Sequence, residues 1–281
     1  MPRLEDRRLI TGLGRFAGDI KLNGLVHAAF CRSTLPHARI VAIDRSAAVS
    51  MPGVIAVWTA DDLPEVAAGL TDFTPADMEQ RGRPILNRDE LNYVGELYAV
   101  VIAETAYQAQ DAAEQVSPEF DPLPGVGDVI TAIAEGAPTV HSDMQTNIAQ
   151  AGSTTYGDIK AAFEPDSVTA KIRLSTSRVA GAAMEPRTVT AAPDEETGGI
   201  KIWTSTQNVF GVRQAVASTL GVDVEKVRVL AEDVGGGFGA KGSVFPEEVL
   251  SALAAWRLNG RYAGSPRAAR TAPRRRRDTV R

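Results

Sequence analysis

The sequence predicts an α/β (α+β) protein built from two units. Segments with the length and period of strands alternate with short amphipathic helices, and a turn-rich interval separates two such series. One strand of the second series runs into a glycine-rich loop, Val234-Gly-Gly-Gly-Phe-Gly-Ala-Lys-Gly242. The 281 residues are 44% hydrophobic and 23% charged, which is typical of a globular protein. The single cysteine, Cys31, excludes an internal disulfide and favours a small buried residue in a reducing compartment.

The first unit is predicted at residues 24–126, after an N-terminal extension at 1–23. Apolar or alternating runs predict its strands, and an Ala-rich polar run predicts a surface helix. The predicted elements are strands at 24–33 and 38–46, a short helix at 46–54, a strand at 54–63, a strand pair at 93–104 hinged at Gly95, and a helix at 105–116.

A linker at 127–157 is predicted from its small and turn-forming residues, and the second unit is predicted at 158–255. Asn208 and Gly221 have the residue types expected at the start and end of a helix. The predicted elements are strands at 167–179, 187–194, 198–206 and 224–233, and helices at 208–221 and 244–256.

The charge is distributed unevenly. The net charge is -5, yet residues 256–281 contain nine arginines and one acidic residue, Asp278. An arginine block can be a nucleic-acid-binding arm, but no aromatic residues are interleaved with these charges, which favours a solvated, disordered end. The N-terminus lacks the apolar core of a secretory signal, and no run approaches the ~20 apolar residues of a membrane span. We therefore expect a cytoplasmic chain without nucleic acid or membrane as a partner.

Three interpretations of the glycine loop compete. A Walker phosphate loop fails because Gly242, not Ser or Thr, follows Lys241. A dinucleotide fingerprint is formally present from Gly235 to Ala240, but the acidic residue expected ~20 positions later is missing. The third interpretation is a backbone cradle in which successive amides face an anionic cofactor. The three histidines share no metal-ligand spacing, and no nucleophile elbow is present.

Four motifs in order extend this interpretation. RLEDRRLITGLGRFAGDI, AAMEPRTVTA, WTSTQNVFGVRQAVASTLG and VGGGFGAKG resemble the molybdopterin-binding large subunit of the xanthine dehydrogenase and aldehyde oxidase family. PHARI, PGVIAVWTADDL and GELYAVVIAETAYQAQDAAE are most similar to the aerobic carbon monoxide dehydrogenase large-subunit group. The resemblance, over about residues 3–255, implies an a/b hammerhead domain followed by the incomplete start of the molybdenum-cofactor-binding domain.

The resemblance also implies a cofactor and its contacts. The family's molybdenum is held by the dithiolene of a pterin, so no metal ligand is expected on the protein, and the cytosine dinucleotide form of molybdopterin is plausible. The residues implied to bind the cofactor are Gln207, Gly236, Gly237, Phe238, Gly239 and Glu185. Without the family, Gln207 would be a strand-end or helix-cap residue and Phe238 a core residue. Glu185 would be a buried acid bonded to the neighbouring loop, and for Glu185 both interpretations remain open.

The implied function is a molybdenum hydroxylase that oxidises a small carbonyl, heterocyclic or carbon monoxide-like substrate, with oxygen from water. Electrons would leave through FAD on a medium subunit and iron–sulfur clusters on a small 2Fe-2S subunit, in a dimer of heterotrimers. Gly242 stands where purine-oxidising members carry a substrate-binding glutamate, which disfavours a purine. The family's catalytic base lies beyond the end of this chain, so no catalytic residue is assigned.

Two alternatives remain. The chain could be a non-catalytic truncated or pseudogene product that at most binds partner subunits, with a frameshift near Trp256 producing the Arg-rich tail at 256–281. A nicotinamide-dependent dehydrogenase is a more distant alternative.

Overall fold

The computed structural model describes residues 3–67, 69–70, 82–148, 151–177, 179–258 and 261–264, the last range through its backbone alone. The helices are α1 (Asp6–Ile10), α2 (Ser46–Val49), α3 (Ala106–Glu114), α4 (Ile159–Ala162), α5 (Val209–Leu220) and α6 (Pro246–Arg257). The strands are β1 (Leu25–Arg32), β2 (Ala38–Asp44), β3 (Val54–Thr59), β4 (Glu90–Leu91), β5 (Leu97–Ala103), β6 (Ser117–Pro122), β7 (Val189–Asp194), β8 (Gly199–Thr204), β9 (Val227–Leu230) and β10 (Arg261–Gly264).

The first unit is built around β5, in which every residue is buried. Strands β1 and β3 flank β5, and both pair with it in antiparallel orientation. A separate three-stranded sheet has the order β4-β2-β6. Helix α3 covers β1 and β5, and it begins where the Thr105 hydroxyl accepts a hydrogen bond from the Gln108 N–H at 3.2 Å. Burial in this unit raises the pKa of the Cys31 thiol to about 12, as expected for a residue that packs rather than reacts.

The second unit positions the glycine loop. Strands β7 and β8, both predicted from the sequence, pair in antiparallel orientation, and β9 lies parallel to β8. Helix α5 has the predicted ends: the Asn208 Oδ1 accepts from the Gly211 N–H at 2.9 Å, and Gly221 adopts the left-handed conformation at φ 65°. Helix α6 packs against β7, β8 and α5. The loop between β9 and α6 therefore begins at a strand end and stops at a helix start, as the sequence predicted.

Strand β10 joins the two units into one sheet. It pairs in parallel with β1 and in antiparallel with β7, which gives a seven-stranded order of β3-β5-β1-β10-β7-β8-β9. One buried apolar cluster contains side chains of both units, among them Phe30 and Val100 from the first and Ile202 and Leu250 from the second. The expected boundary at Trp256 falls inside α6. The remaining tail residues, 259–260 and 265–281, lie outside the described residues.

Two element predictions were wrong. Residues 167–177 and 179 alternate like a strand but form none, and each of them is exposed. Alternation creates an apolar face, yet a strand also needs a neighbouring backbone, and no strand of the described ranges pairs with this segment. The predicted pair at 93–104 is a single strand, β5, because Gly95 at φ 104° turns the chain before it.

Candidate cofactor site

The loop from Gly235 to Gly242 turns sharply because three of its residues have positive φ. These angles are 97° at Gly236, 52° at Phe238 and 80° at Gly239. Glycine adopts such angles freely, whereas a phenylalanine there is strained unless its surroundings enforce it. Phe238 is 75% exposed, so it does not serve the core packing that its residue type alone would suggest. The strain is thus located at the tip of an exposed turn.

Gln207 lies between β8 and α5 and reaches across to this turn. Its Oε1 accepts hydrogen bonds from the N–H of Gly239 at 3.0 Å and of Lys241 at 3.3 Å, and its own N–H donates to the Lys241 carbonyl at 2.9 Å. A Cβ on Gly237 would lie 2.4 Å from the Gln207 Cδ. The glutamine can therefore approach the loop only because position 237 has no side chain.

The orientation of the Gln207 amide follows from these bonds. Two backbone N–H groups point at one end of the carboxamide, and only an oxygen can accept from both. The Nε2 group is consequently at the other end, and within the described residues it donates to no protein atom. The exposed glutamine thus retains two free donors.

Glu185 supports the same loop from beneath. Its Oε2 accepts from the Gly235 N–H at 2.7 Å and from the Lys241 ammonium at 3.0 Å. A Cβ on Gly235 would lie 2.5 Å from the Glu185 Cβ, so this contact also requires glycine. The Glu185 Oε1 is buried and has no partner among the described residues. Glu185 is therefore a buried acid bonded to the neighbouring loop, one of the two roles that the sequence left open.

The backbone N–H groups of Gly236, Gly237 and Phe238 have no hydrogen-bond acceptor within the described part of the chain. The next amides along the loop are all occupied, by Gln207 or by carbonyls of the turn itself. Three successive free amides in a turn with positive φ are an arrangement that commonly binds an anion or a polarised oxygen.

The N-terminal segment holds the start of the loop in place. Asp233 accepts two hydrogen bonds from the Arg8 guanidinium, at 2.6 and 2.5 Å, and a third from the Arg15 N–H at 2.6 Å. The side-chain hydrogen bond from Arg8 is the main reason that the pKa of Asp233 falls to about 2. The opening motif and the glycine loop thus meet although more than two hundred residues separate them.

A small cavity of ≈ 30 Å³ lies below the loop, lined by residues at the β7 start, the β8 end and the α6 start, with Lys241. Glu248 of α6 accepts from the Thr204 hydroxyl at 2.6 Å and from the Phe245 N–H at 2.9 Å. Burial of this carboxyl raises its pKa to about 7.

Glu247, the neighbour of Glu248, is ion-paired with Arg32 of the first unit. The pKa of Glu247 is lowered because the charges of Arg32 and Arg187 outweigh the effect of burial.

Comparison with known proteins identifies the fold. Residues 11–124 match the family model of the aldehyde oxidase and xanthine dehydrogenase a/b hammerhead domain, and residues 140–263 match that of the molybdopterin cofactor-binding domain. The two ranges together cover most of the chain. This chain belongs to the xanthine dehydrogenase and aldehyde oxidase family. The second match ends within β10, beyond the limit near residue 255 that the motifs alone indicated.

Members of the family with curated functions are similar along nearly the whole chain. The nicotine 6-hydroxylase large subunit of Paenarthrobacter nicotinovorans is 38% identical over 259 residues, which are 92% of this chain and 32% of that protein. The carbon monoxide dehydrogenase large chain of Hydrogenophaga pseudoflava is 31% identical, covering 89% of this chain and 32% of its own. This chain thus spans about a third of the length of the curated relatives it matches.

Solved structures of the family superimpose closely. Quinoline 2-oxidoreductase from Pseudomonas putida 86 aligns with a TM-score of 0.87 at 32% identity, over 94% of this chain and 34% of that one. A copper- and molybdenum-containing CO dehydrogenase aligns with a TM-score of 0.83 at 29% identity. The two domain matches, with these alignments, confirm the predicted fold of a hammerhead domain followed by part of the molybdenum-cofactor-binding domain.

The structure brings the family-derived site residues together around one loop. Gln207 contacts the loop at residues 237, 239 and 241, and Glu185 contacts it at Gly235. Sequence reasoning missed Lys241 and Asp233, whose partners are distant in sequence; the G-x-K ending of the loop was the only local signal. No group of three or more His, Cys, Asp or Glu suited to a metal occurs in the described ranges. No helix among these residues is both long and apolar enough to cross a membrane.

Proposed function

We propose that this chain forms the first part of the cofactor-binding subunit of a molybdenum hydroxylase-type oxidoreductase. The observation that carries the proposal is the set of free donors at the loop: three successive backbone N–H groups beside the Nε2 of Gln207. These donors would suit a ligand rich in oxygen and negative charge, such as the molybdenum cofactor with its phosphate. The match to the molybdopterin cofactor-binding domain supports the same ligand.

The residues present fit this group sterically as well as chemically. Side chains at Gly235 and Gly237 would collide with Glu185 and Gln207, so both glycines let the loop fold against its supports. Nothing lies within 4 Å of the Cβ position of Gly239, which leaves open space on that side of the turn. The exposed Phe238 ring adds an apolar wall. The loop therefore presents donors and one flat apolar surface to a ligand of appreciable size.

Each residue has a distinct role in this proposal. The amides of Gly236, Gly237 and Phe238 bind oxygens of the ligand, and the turn at Gly239 aims them. Gln207 donates from Nε2 while its Oε1 anchors it to the loop. Glu185 keeps the loop in place rather than touching the ligand through Oε2, because that atom is already bonded twice. When bound, the molybdenum cofactor supplies the oxidising centre at which a substrate is hydroxylated with oxygen from water.

The wider assembly is part of the same proposal. The relatives are named as a large subunit, a large chain or a subunit of a dehydrogenase complex. We infer that a complete subunit of this kind works with a medium FAD-binding subunit and a small 2Fe-2S subunit, as a dimer of heterotrimers in the cytoplasm. The cytosine dinucleotide form of the cofactor and a small carbonyl, heterocyclic or carbon monoxide-like substrate belong to this inference.

A chimera tests the proposed cofactor site. This chain replaces the matched part of the nicotine 6-hydroxylase large subunit, and the purified complex is assayed for molybdenum by mass spectrometry and for pterin by fluorescence after oxidation. We expect the chimera to retain molybdenum. Gly237→Ala in the chimera should weaken retention roughly five- to hundredfold, because overpacking a tight contact costs about 1–3 kcal/mol.

Gly127→Ala is the matched control, since position 127 has nothing within 4 Å of its Cβ and ordinary φ. It should leave the molybdenum content unchanged. A chimera that assembles with the parent's mass and secondary structure but contains no molybdenum or pterin would contradict the proposal.

A further inference from the structure

We propose that Lys241 is the positioning residue of the cofactor site: it fixes the Gln207 amide so that Nε2 faces the ligand. The inference rests on the proposed function, because it concerns how the same loop is prepared for binding. In this role Lys241 acts through Gln207 and does not itself contact the ligand.

Lys241 holds Gln207 through its backbone. Its N–H donates to the Gln207 Oε1, and its carbonyl accepts from the Gln207 N–H. The same carbonyl accepts from the Thr206 hydroxyl at 3.3 Å. Both ends of the glutamine residue, main chain and side chain, are therefore bonded to residue 241. Any movement of this backbone unit moves the Gln207 carboxamide with it.

The side chain of Lys241 in turn anchors that backbone unit. It is only 3% exposed, and its ammonium lies 3.0 Å from the Glu185 Oε2. A buried ammonium is costly unless it is paired, so the side chain has one favourable position, against Glu185. An apolar residue of similar length would fill the same space without fixing the direction of the backbone.

One carboxylate oxygen ties together both ends of the turn. The Glu185 Oε2 accepts from the Gly235 N–H at the start of the loop and from the Lys241 ammonium at its end. The turn between them contains the three free amides and the strained Phe238. The ion pair therefore closes the turn, and the closed turn holds Gly239 and residue 241 where they direct both N–H groups at the Gln207 oxygen.

Amide hydrogen exchange of the cofactor-free chain tests this inference without reference to activity. We expect Lys241→Met to speed exchange at the amides of Gly239 and residue 241 by about fivefold or more, as the loss of a typical hydrogen bond implies. The side-chain NH₂ signals of Gln207 in the NMR spectrum should shift or broaden at the same time. Lys226→Met is the matched control, because Lys226 is exposed and lies at the opposite end of β9 from the loop, and it should change neither readout.

The double variant Glu185→Gln/Lys241→Met separates positioning from simple stabilisation. It removes both charges, so no unpaired ion stays buried and the denaturation midpoint should return towards that of the parent chain. We expect the fast exchange at Gly239 to persist despite that recovery. Exchange that recovers together with the midpoint, or a Lys241→Met chain that keeps parental exchange, would overturn the inference.

The two proposals fail separately. A folded chimera without molybdenum contradicts the proposed function, whatever the exchange rates are. Parental exchange in Lys241→Met contradicts the positioning role even when molybdenum is bound.

Discussion

The buried polar residues around the glycine loop differ in how their burial is compensated. Lys241 and Glu185 are buried as a pair that shapes the loop. Glu248 is buried beside the cavity below the loop, where the Thr204 hydroxyl and the Phe245 N–H are its hydrogen-bond donors. Because no cation pairs closely with Glu248 in the described residues, burial dominates and its pKa rises to about 7. This residue therefore makes stability depend on pH.

Glu248→Gln should make the protein more resistant to denaturation at pH 8 and leave it nearly unchanged at pH 4. The folded pKa of about 7 exceeds the ordinary value of 4.5, so the folded state holds a proton that the unfolded state releases. The stability that Glu248 contributes is thus fully present below pH 4.5. It declines as the pH rises towards 7. Urea midpoints of both chains at pH 4, 6 and 8 measure the effect.

The exposed residue Glu225 provides the control for this prediction. Glu225→Gln should change the urea midpoint little, because substitutions of exposed residues usually alter stability by less than about 0.5 kcal/mol. A difference between the Glu248→Gln chain and its parent that stays constant from pH 4 to pH 8 would contradict the assigned pKa.

At the scale of elements, the site depends on the junction between β8 and α5. Gln207 occupies this junction, immediately before the helix cap Asn208. The Asn208 Oδ1 accepts a hydrogen bond from the Gly211 N–H. The Asn208 N–H donates one to the Thr206 hydroxyl at 3.0 Å. Asn208 therefore determines where the helix begins. Its bond to Thr206 also constrains the backbone on both sides of Gln207.

Asn208→Ala should lower the free energy of unfolding by about 1 kcal/mol, the usual effect of losing a helix cap. It should also weaken molybdenum retention in the chimera, because Gln207 loses its fixed neighbour. Denaturant titration and metal analysis measure the two effects. Asn208→Asp retains the capping oxygen and should preserve stability within about 0.5 kcal/mol. Equal losses in both variants would show that the cap is unimportant.

On the scale of the whole molecule, the two matched domains form a continuous sheet through β10. This strand lies between β1 of the first unit and β7 of the second, and the apolar cluster continues across the same junction. The ion pair of Arg32 with Glu247 also crosses it, partly buried on both sides. The relative position of the units is therefore determined by backbone pairing as well as by side chains.

Ala263→Pro should destabilise the chain by more than about 1 kcal/mol, because proline in a central strand removes a ladder hydrogen bond and restricts φ. Chemical denaturation followed by circular dichroism measures the loss. Ala170→Pro introduces the same residue into the exposed, unpaired segment and should cost less than about 1 kcal/mol. Similar midpoints for the two variants would contradict a central role for β10.

The sequence by itself determined most of the elements and the family. Local patterns were sufficient for α5, whose cap residue and terminal glycine lie at the predicted positions, and for the strands β7 and β8. The ordered motifs indicated the family, which the domain matches confirm. The helix and strand predictions depend on residues close together in the chain, where periodicity, capping and turn chemistry act directly.

Only the tertiary structure decided which groups of the site are free and which are occupied. Gln207 is bonded through Oε1 to a loop more than thirty residues away, and Glu185 is paired with Lys241 across an even longer separation. The strand-like pattern at 167–177 and 179 gave the wrong element, whereas Arg261–Gly264, predicted as tail, lies mid-sheet. Strand pairing and the pairing of buried charges are satisfied by partners that folding brings together, and these partners leave no local pattern in the sequence.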